Sequence, residues 1–196
     1  MPTVLRAFTA MIAVTALLAL SGCGPTGPGE AGGDDVDPVA TLTVLPTPPG
    51  MSGAPARAAD AGELQRAFTG APDPDLAAKL TERGLKAAAV RSWTGPDGGE
   101  LVSAISVWNS HLMATGIGGQ VAERLLAQPD AKAWTPASLG GTRGARIDRP
   151  NGERRLSFAI GPNNIYVRSV GPVDEQALVK TVQWLSDVVE AEGGAG

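Results

Sequence analysis

The chain has 196 residues, with 16 basic and 20 acidic side chains for a formal net charge of −4, one cysteine and one histidine. That balance argues against nucleic acid as the main partner, and the cysteine and histidine counts exclude both an internal disulfide and a closed metal site of His and Cys ligands. With no covalent brace, one modest domain has to be held by its core.

Residues 8–20 form a run of 13 without a charge, preceded by Arg6 and the amino terminus. A helix needs about 20 apolar residues to cross a bilayer core, so the run reads as a signal-peptide core over residues 1–22 rather than a membrane span. It ends in Leu20-Ser21-Gly22-Cys23, which resembles the lipobox of bacterial lipoproteins. The resemblance implies cleavage before Cys23 and a diacylglyceryl group on its sulfur, with two acyl chains giving a stable membrane anchor. The alternatives are a secreted protein with a stray thiol or an N-terminal core helix. A lone secreted cysteine would be an unpaired reactive group, which lipidation explains.

Residues 23–61 are expected to be a lipidated N-terminus and disordered tether, 62–191 a single domain and 192–196 a disordered tail. Residues 24–38 hold almost no apolar side chain and read as a flexible spacer. Asp34, Asp35 and Asp37 lie in it without the ligand spacing of an EF-hand loop. Residues 39–45 are β-prone and read as either an edge strand or more tether. Residues 62–69 suggest a short helix with Leu64, Ala67 and Phe68 on one side.

Asp73, Pro74 and Gly84 mark the cap, first turn and end of another helix. Residues 85–94 and 100–108 form a hairpin around Gly95-Pro96-Asp97-Gly98-Gly99. In residues 112–128, Ala114, Ile117, Val121 and Leu125 recur at helical spacing. Gly116, Gly118 and Gly119 either delay the start of this helix or permit close packing. Residues 131–147 offer one or two short strands. In residues 154–160, Leu156, Phe158 and Ile160 alternate with Arg155, Ser157 and Ala159, and residues 165–170 return as the second arm of a hairpin. A last helix opens at Asp174 and carries Leu178, Val182, Leu185 and Val189 as its stripe. The expected class is α+β: a mainly antiparallel sheet from two hairpins, with helices packed on one face.

Leu80-Thr81-Glu82-Arg83-Gly84 leading into Val90-Arg91-Ser92-Trp93, the strand Leu101 to Trp108 before an alanine-bearing helix, and Ser157-Phe158-Ala159-Ile160-Gly161-Pro162 before Tyr166-Val167-Arg168 together resemble lipoproteins of high-GC Gram-positive bacteria. The resemblance spans residues 76–189 and implies localisation and fold. That group carries no activity or site residues to transfer.

No motif for a cofactor is present: Gly116-Ile117-Gly118-Gly119 lacks the Lys-Ser/Thr of a phosphate loop and fits no GxGxxG frame. His111 is the histidine that a hydrolase would have to use, with a serine or a carboxylate; a helix-entry role is the simpler reading. Residues 131–170 hold Lys132, Arg143, Arg146, Arg149, Arg154, Arg155 and Arg168 against Asp148 and Glu153. Arg143, Arg146, Arg155 and Arg168 are the candidate ligand or partner surface, suited to an anionic ligand or a membrane-protein partner. A merely solvated sheet face is the alternative. Trp93, Trp108, Trp134 and Tyr166 are expected to divide between core and rim. The expected function is a lipid-anchored, extracytoplasmic, non-enzymatic binding or accessory module; the alternatives are a small cell-envelope hydrolase using His111 and a structural subunit of a membrane protein complex.

Overall fold

The computed structural model describes residues 35–134, 144–147 and 152–193. Residues 1–34, which include the expected signal peptide and Cys23, together with Arg143 and the residues after 193, lie outside the described residues. Among the described residues thirteen elements follow in chain order: α1 (Pro38–Val44), β1 (Ser52–Gly53), β2 (Arg57–Ala58), α2 (Ala61–Thr69), α3 (Pro74–Glu82), β3 (Leu85–Thr94), β4 (Glu100–Trp108), α4 (His111–Leu126), β5 (Ala131–Trp134), β6 (Gly144–Ile147), β7 (Glu153–Ile160), β8 (Asn163–Val170) and α5 (Glu175–Gly193).

The first helix corrects the reading of residues 39–45 as strand or tether. Asp37 accepts from the amides of Val39 and Ala40 at 2.9 and 3.1 Å, and Pro38 occupies the first turn. These two local signals start a helix and outweigh the context-dependent β preference of Val39, Thr41 and Thr43. Leu42 and Leu45 are buried in the same cluster as Ala89, Trp93 and Ile105. Residues 36–61 therefore belong to the folded unit, which starts well before the expected position 62.

All strand pairings are antiparallel. The order is β1-β3-β4-β8-β7-β6-β5, with β2 also on the outer edge of β3. The β3–β4 and β7–β8 hairpins thus meet along β4 and β8. Between β7 and β8 the turn is two residues, Gly161 and Pro162, since Ile160 is the Cα partner of Asn163. Gly161 has φ +53, as the first central position of a type II′ hairpin turn requires.

The α+β class and the antiparallel sheet are as expected, but the helices are divided between both faces. On one side, Val90, Val102, Ala104, Trp108 and Tyr166 pack with Leu64 and Phe68 of α2, Leu76 and Leu80 of α3, and Ile117 and Val121 of α4. On the other, Trp93, Leu101, Ile105, Ile165 and Val167 pack with Leu42 of α1 and with Leu178, Val182 and Leu185 of α5. Alternation along a strand sends successive residues to opposite faces, so the nearly unbroken burial of β4 demands a cover on each.

Helix α4 begins at His111, capped by the hydroxyl of Ser110, which accepts from the Met113 amide at 3.3 Å. Its glycines lie inside the helix rather than before it. A side-chain carbon at Gly118 would fall 2.8 Å from Asn164 Nδ2, whereas at Gly116 or Gly119 it would meet nothing within 4 Å. Only Gly118 is there for close approach to the sheet.

Candidate functional site

The strand register brings two arginines face to face. Arg155 of β7 and Arg168 of β8 are Cα partners, and Arg168 is in turn the partner of Val102 on β4. Like charges directly opposite each other on a sheet repel. Glu153, two residues before Arg155 and so on the same face, resolves this: its Oε1 accepts from Arg155 Nε at 2.8 Å, from Arg155 Nη2 at 2.5 Å and from Arg168 Nε at 2.6 Å. Arg155 is 3% exposed, which corrects its placement on a recognition surface. The reason is that the face opposite Leu156, Phe158 and Ile160 is not solvent; α4 packs over Ser157 and the C-terminal end of α2 lies over Arg155.

Arg155 also serves that helix. Nη1 donates to the Phe68 carbonyl at 2.6 Å and Nη2 to the Thr69 carbonyl at 2.9 Å, satisfying carbonyls that a helix end leaves unpaired and placing a cation at the negative end of its dipole. Tyr166 donates its hydroxyl to the same Phe68 carbonyl, and its ring lies 4.7 Å from that of Phe68. Burial raises the Tyr166 phenol well above its ordinary pKa, against the opposing influence of the two arginines.

Beyond this buried triad, Arg168 reaches a cleft. The cleft, about 280 Å³, lies between α2, β2 and the edge of the sheet, with Val90, Val102, Arg57, Glu63, Arg66, Gly70, Glu100 and Arg168 on its walls. Local chemistry builds the α2 wall: Asp60 and Glu63 form a capping box at its start, and Gly70 ends it with φ +77. A side-chain carbon at Gly70 would sit 2.9 Å from Arg168 Nη2; glycine provides both the left-handed turn and room for the guanidinium.

Charges on the walls are unevenly matched. Arg57 pairs with Glu63, and Arg168 Nη1 lies 3.5 Å from Glu100. The guanidinium of Arg66, a residue exposed in the last turn of α2, has no ion pair or hydrogen bond among the described residues. Arg91 also borders the cleft, but its guanidinium serves the other face. There it donates to the carbonyls of Leu42, Thr43 and Leu45 at 2.8, 3.3 and 2.7 Å and lies 4.9 Å over Trp93. Burial lowers its pKa, though arginine remains charged in proteins.

The other candidates are dispersed. Arg143 lies outside the described residues. Arg146 is on β6 as the Cα partner of Arg154, whereas Arg155 pairs with Ala145, so Arg146 is out of the row that joins Arg155 to Arg168. Trp93, Trp108 and Tyr166 are all buried in the two cores, and only Trp134 among the expected aromatic set is half-buried.

At the start of α4, His111 Nδ1 lies 2.8 Å from the Gly161 carbonyl and Nε2 lies 3.3 Å from the Thr115 hydroxyl. The carbonyl can only accept, so Nδ1 carries a proton and donates it there. Among the described residues neither a serine nor a carboxylate bonds to this ring, and Ser110 is used as the helix cap. The alternative of a hydrolase arrangement around His111 is therefore not assembled among the described residues, and His111 stands at the entry of α4, the simpler reading. Among the described residues no group of three or more His, Cys, Asp or Glu is placed to hold a metal ion, and no helix is long and apolar enough to cross a membrane.

Arg57, Glu63, Arg66 and Glu100 were not legible as a site. The Asp60-x-x-Glu63 capping box was the available signal, since it fixes the phase of α2 and with it the position of Arg66 on the last turn.

No family model matches the chain, and no curated protein matches it. Among solved structures it is similar to the extracellular domain of PknH from Mycobacterium tuberculosis, with a TM-score of 0.53 and 11% sequence identity, over 82% of this chain and 100% of that one. At that identity the likeness is one of fold.

Proposed function

We propose that this chain is a membrane-anchored, extracytoplasmic module that binds an anionic ligand, rather than transforming it, in the cleft between α2 and the sheet. The observation that carries the reading is Arg66: a guanidinium on the wall of a cleft, with no partner among the described residues, beside Arg57 and Arg168. A structural arginine is normally bonded to carbonyls or carboxylates, as Arg91 and Arg155 are here. The lipobox-like Leu20-Ser21-Gly22-Cys23 supports the anchor, and the fold likeness to a domain described as extracellular fits the same side of the membrane.

Native mass spectrometry of the full chain, purified from a Gram-positive host, tests the reading. Mass beyond that of the lipidated polypeptide, lost on denaturation, is the expected result. A stoichiometric protein partner and no small ligand would replace this reading with that of a complex subunit.

A further inference from the structure

Within the binding reading, on which this inference rests, the chemistry of the walls narrows the ligand. We infer that the cleft recognises a phosphate group, carried by a small polar molecule or by a lipid headgroup, with Arg66 and Arg168 as its principal donors.

The three cations that line the cleft from its own face, Arg57, Arg66 and Arg168, are all arginine. Arginine offers a planar fork of donors that matches phosphate and carboxylate oxygens two at a time, where lysine is a point charge. Carboxylates are already supplied by the protein: Glu63 holds Arg57, and Glu100 lies beside Arg168. A ligand carboxylate would offer Arg57 and Arg168 no more than what they have. A phosphate sets its terminal and ester oxygens tetrahedrally, so that it can engage Arg66 while sharing Arg168 with Glu100 and Glu153. Glu153 is matched by Arg155 in the buried triad, so the three wall arginines against Glu63 and Glu100 leave one positive charge uncompensated. The charge of a phosphodiester neutralises it.

Geometry places the two donors together. Arg66 and Gly70 are joined by the last hydrogen bond of α2, Gly70 N to Arg66 O at 2.8 Å, and Arg168 lies against Gly70. Both residues line the same cleft at the C-terminal turn of α2. The negative end of the helix dipole would repel an anion here, but the last carbonyls are occupied by Arg155 and Tyr166, and Arg168 adds a second cation. The size is also selective: about 280 Å³ lies just below the roughly 300–1,000 Å³ usual for drug-sized ligands, which suits a headgroup.

The test is calorimetric titration of the full chain with inorganic phosphate, glycerol 1-phosphate, monomeric dihexanoyl phosphatidylglycerol and succinate, repeated on Arg66→Ala and Arg66→Lys. Arg66 is exposed and unbonded, so Arg66→Ala should keep the wild-type unfolding transition. Saturable binding of glycerol 1-phosphate or the short-chain lipid, absent with succinate and weakened at least tenfold by Arg66→Ala, is expected. Arg66→Lys should recover only part of it. Equal affinity for glycerol 1-phosphate and the lipid assigns a soluble phosphate source; tighter binding of the lipid assigns a headgroup. No binding by any phosphate probe, equal binding of succinate, or an unchanged Arg66→Ala would overturn the inference. A non-phosphorylated ligand found by native mass spectrometry would overturn it while leaving the binding reading intact.

Discussion

Arg155 and Arg168 stand opposite each other on β7 and β8, with their guanidinium groups bonded to the same oxygen of Glu153. That relationship ties the end of α2, held by Arg155, to the wall of the cleft, formed by Arg168. It also makes Glu153 the residue on which both depend.

Glu153→Gln leaves two guanidinium groups crowded in a mostly buried site without their counter-charge. Breaking a buried ionic group by removing one partner costs about 3–5 kcal/mol. Urea denaturation of the variant should show a loss of that order, whereas a surface change such as Asp75→Asn should stay within about 0.5 kcal/mol.

Tyr166 predicts a dependence on alkaline pH. Its folded pKa is raised, so the native state holds the phenol proton where the unfolded chain, with a pKa near 10, releases it. Stability from this group is complete below about pH 10 and falls as pH rises above it, by up to about 1.4 kcal/mol for each pH unit. Urea midpoints from pH 9 to 11.5 should fall more steeply in the wild type than in Tyr166→Phe. Parallel curves would show that the phenol does not couple to folding.

The three glycines of α4 should respond differently to alanine. Gly116→Ala and Gly119→Ala meet open space and should each stabilise by up to about 1 kcal/mol through helix propensity. Gly118→Ala would press on Asn164, whose Nδ2 is bonded to Ser157 Oγ at 3.2 Å and to the Phe158 carbonyl at 3.3 Å. Overpacking of this kind costs about 1–3 kcal/mol. Thermal melts should therefore move in opposite directions.

His111→Ala removes a tie between α4 and the β7–β8 turn, a net loss of about 1 kcal/mol for a hydrogen bond. Ligand binding in the cleft should be unchanged, because neither Gly161 nor Thr115 lines it. Calorimetry on this variant separates the two regions.

Much of the fold was legible because its punctuation is local. Asp73-Pro74, Gly95 to Gly99, Gly161-Pro162 and Asp174 each act through their own backbone, and the elements between them fell where expected. Helix α1 was not legible, since its seven residues read as β-prone and its stability comes from burying Leu42 and Leu45 against strands far along the chain. Alternation in β7 correctly turned Arg155 away from Leu156, but a period of two tells only which residues share a face. What covers that face is decided by α4 and, over Arg155, by the end of α2, 87 positions before it in the chain. The same limit hid the cleft: Arg57, Arg66 and Arg168 come from a short edge strand, a helix and a central strand, and only the assembled fold brings them together.

The most direct measurement compares the native mass of the full chain with that of Arg66→Glu, both purified from the same Gram-positive host. A bound mass present in the wild type and absent from the variant, with the same unfolding transition in both, is the predicted result. A wild type without any bound mass, or one whose bound mass persists in Arg66→Glu, would contradict the assignment of the cleft as the binding site.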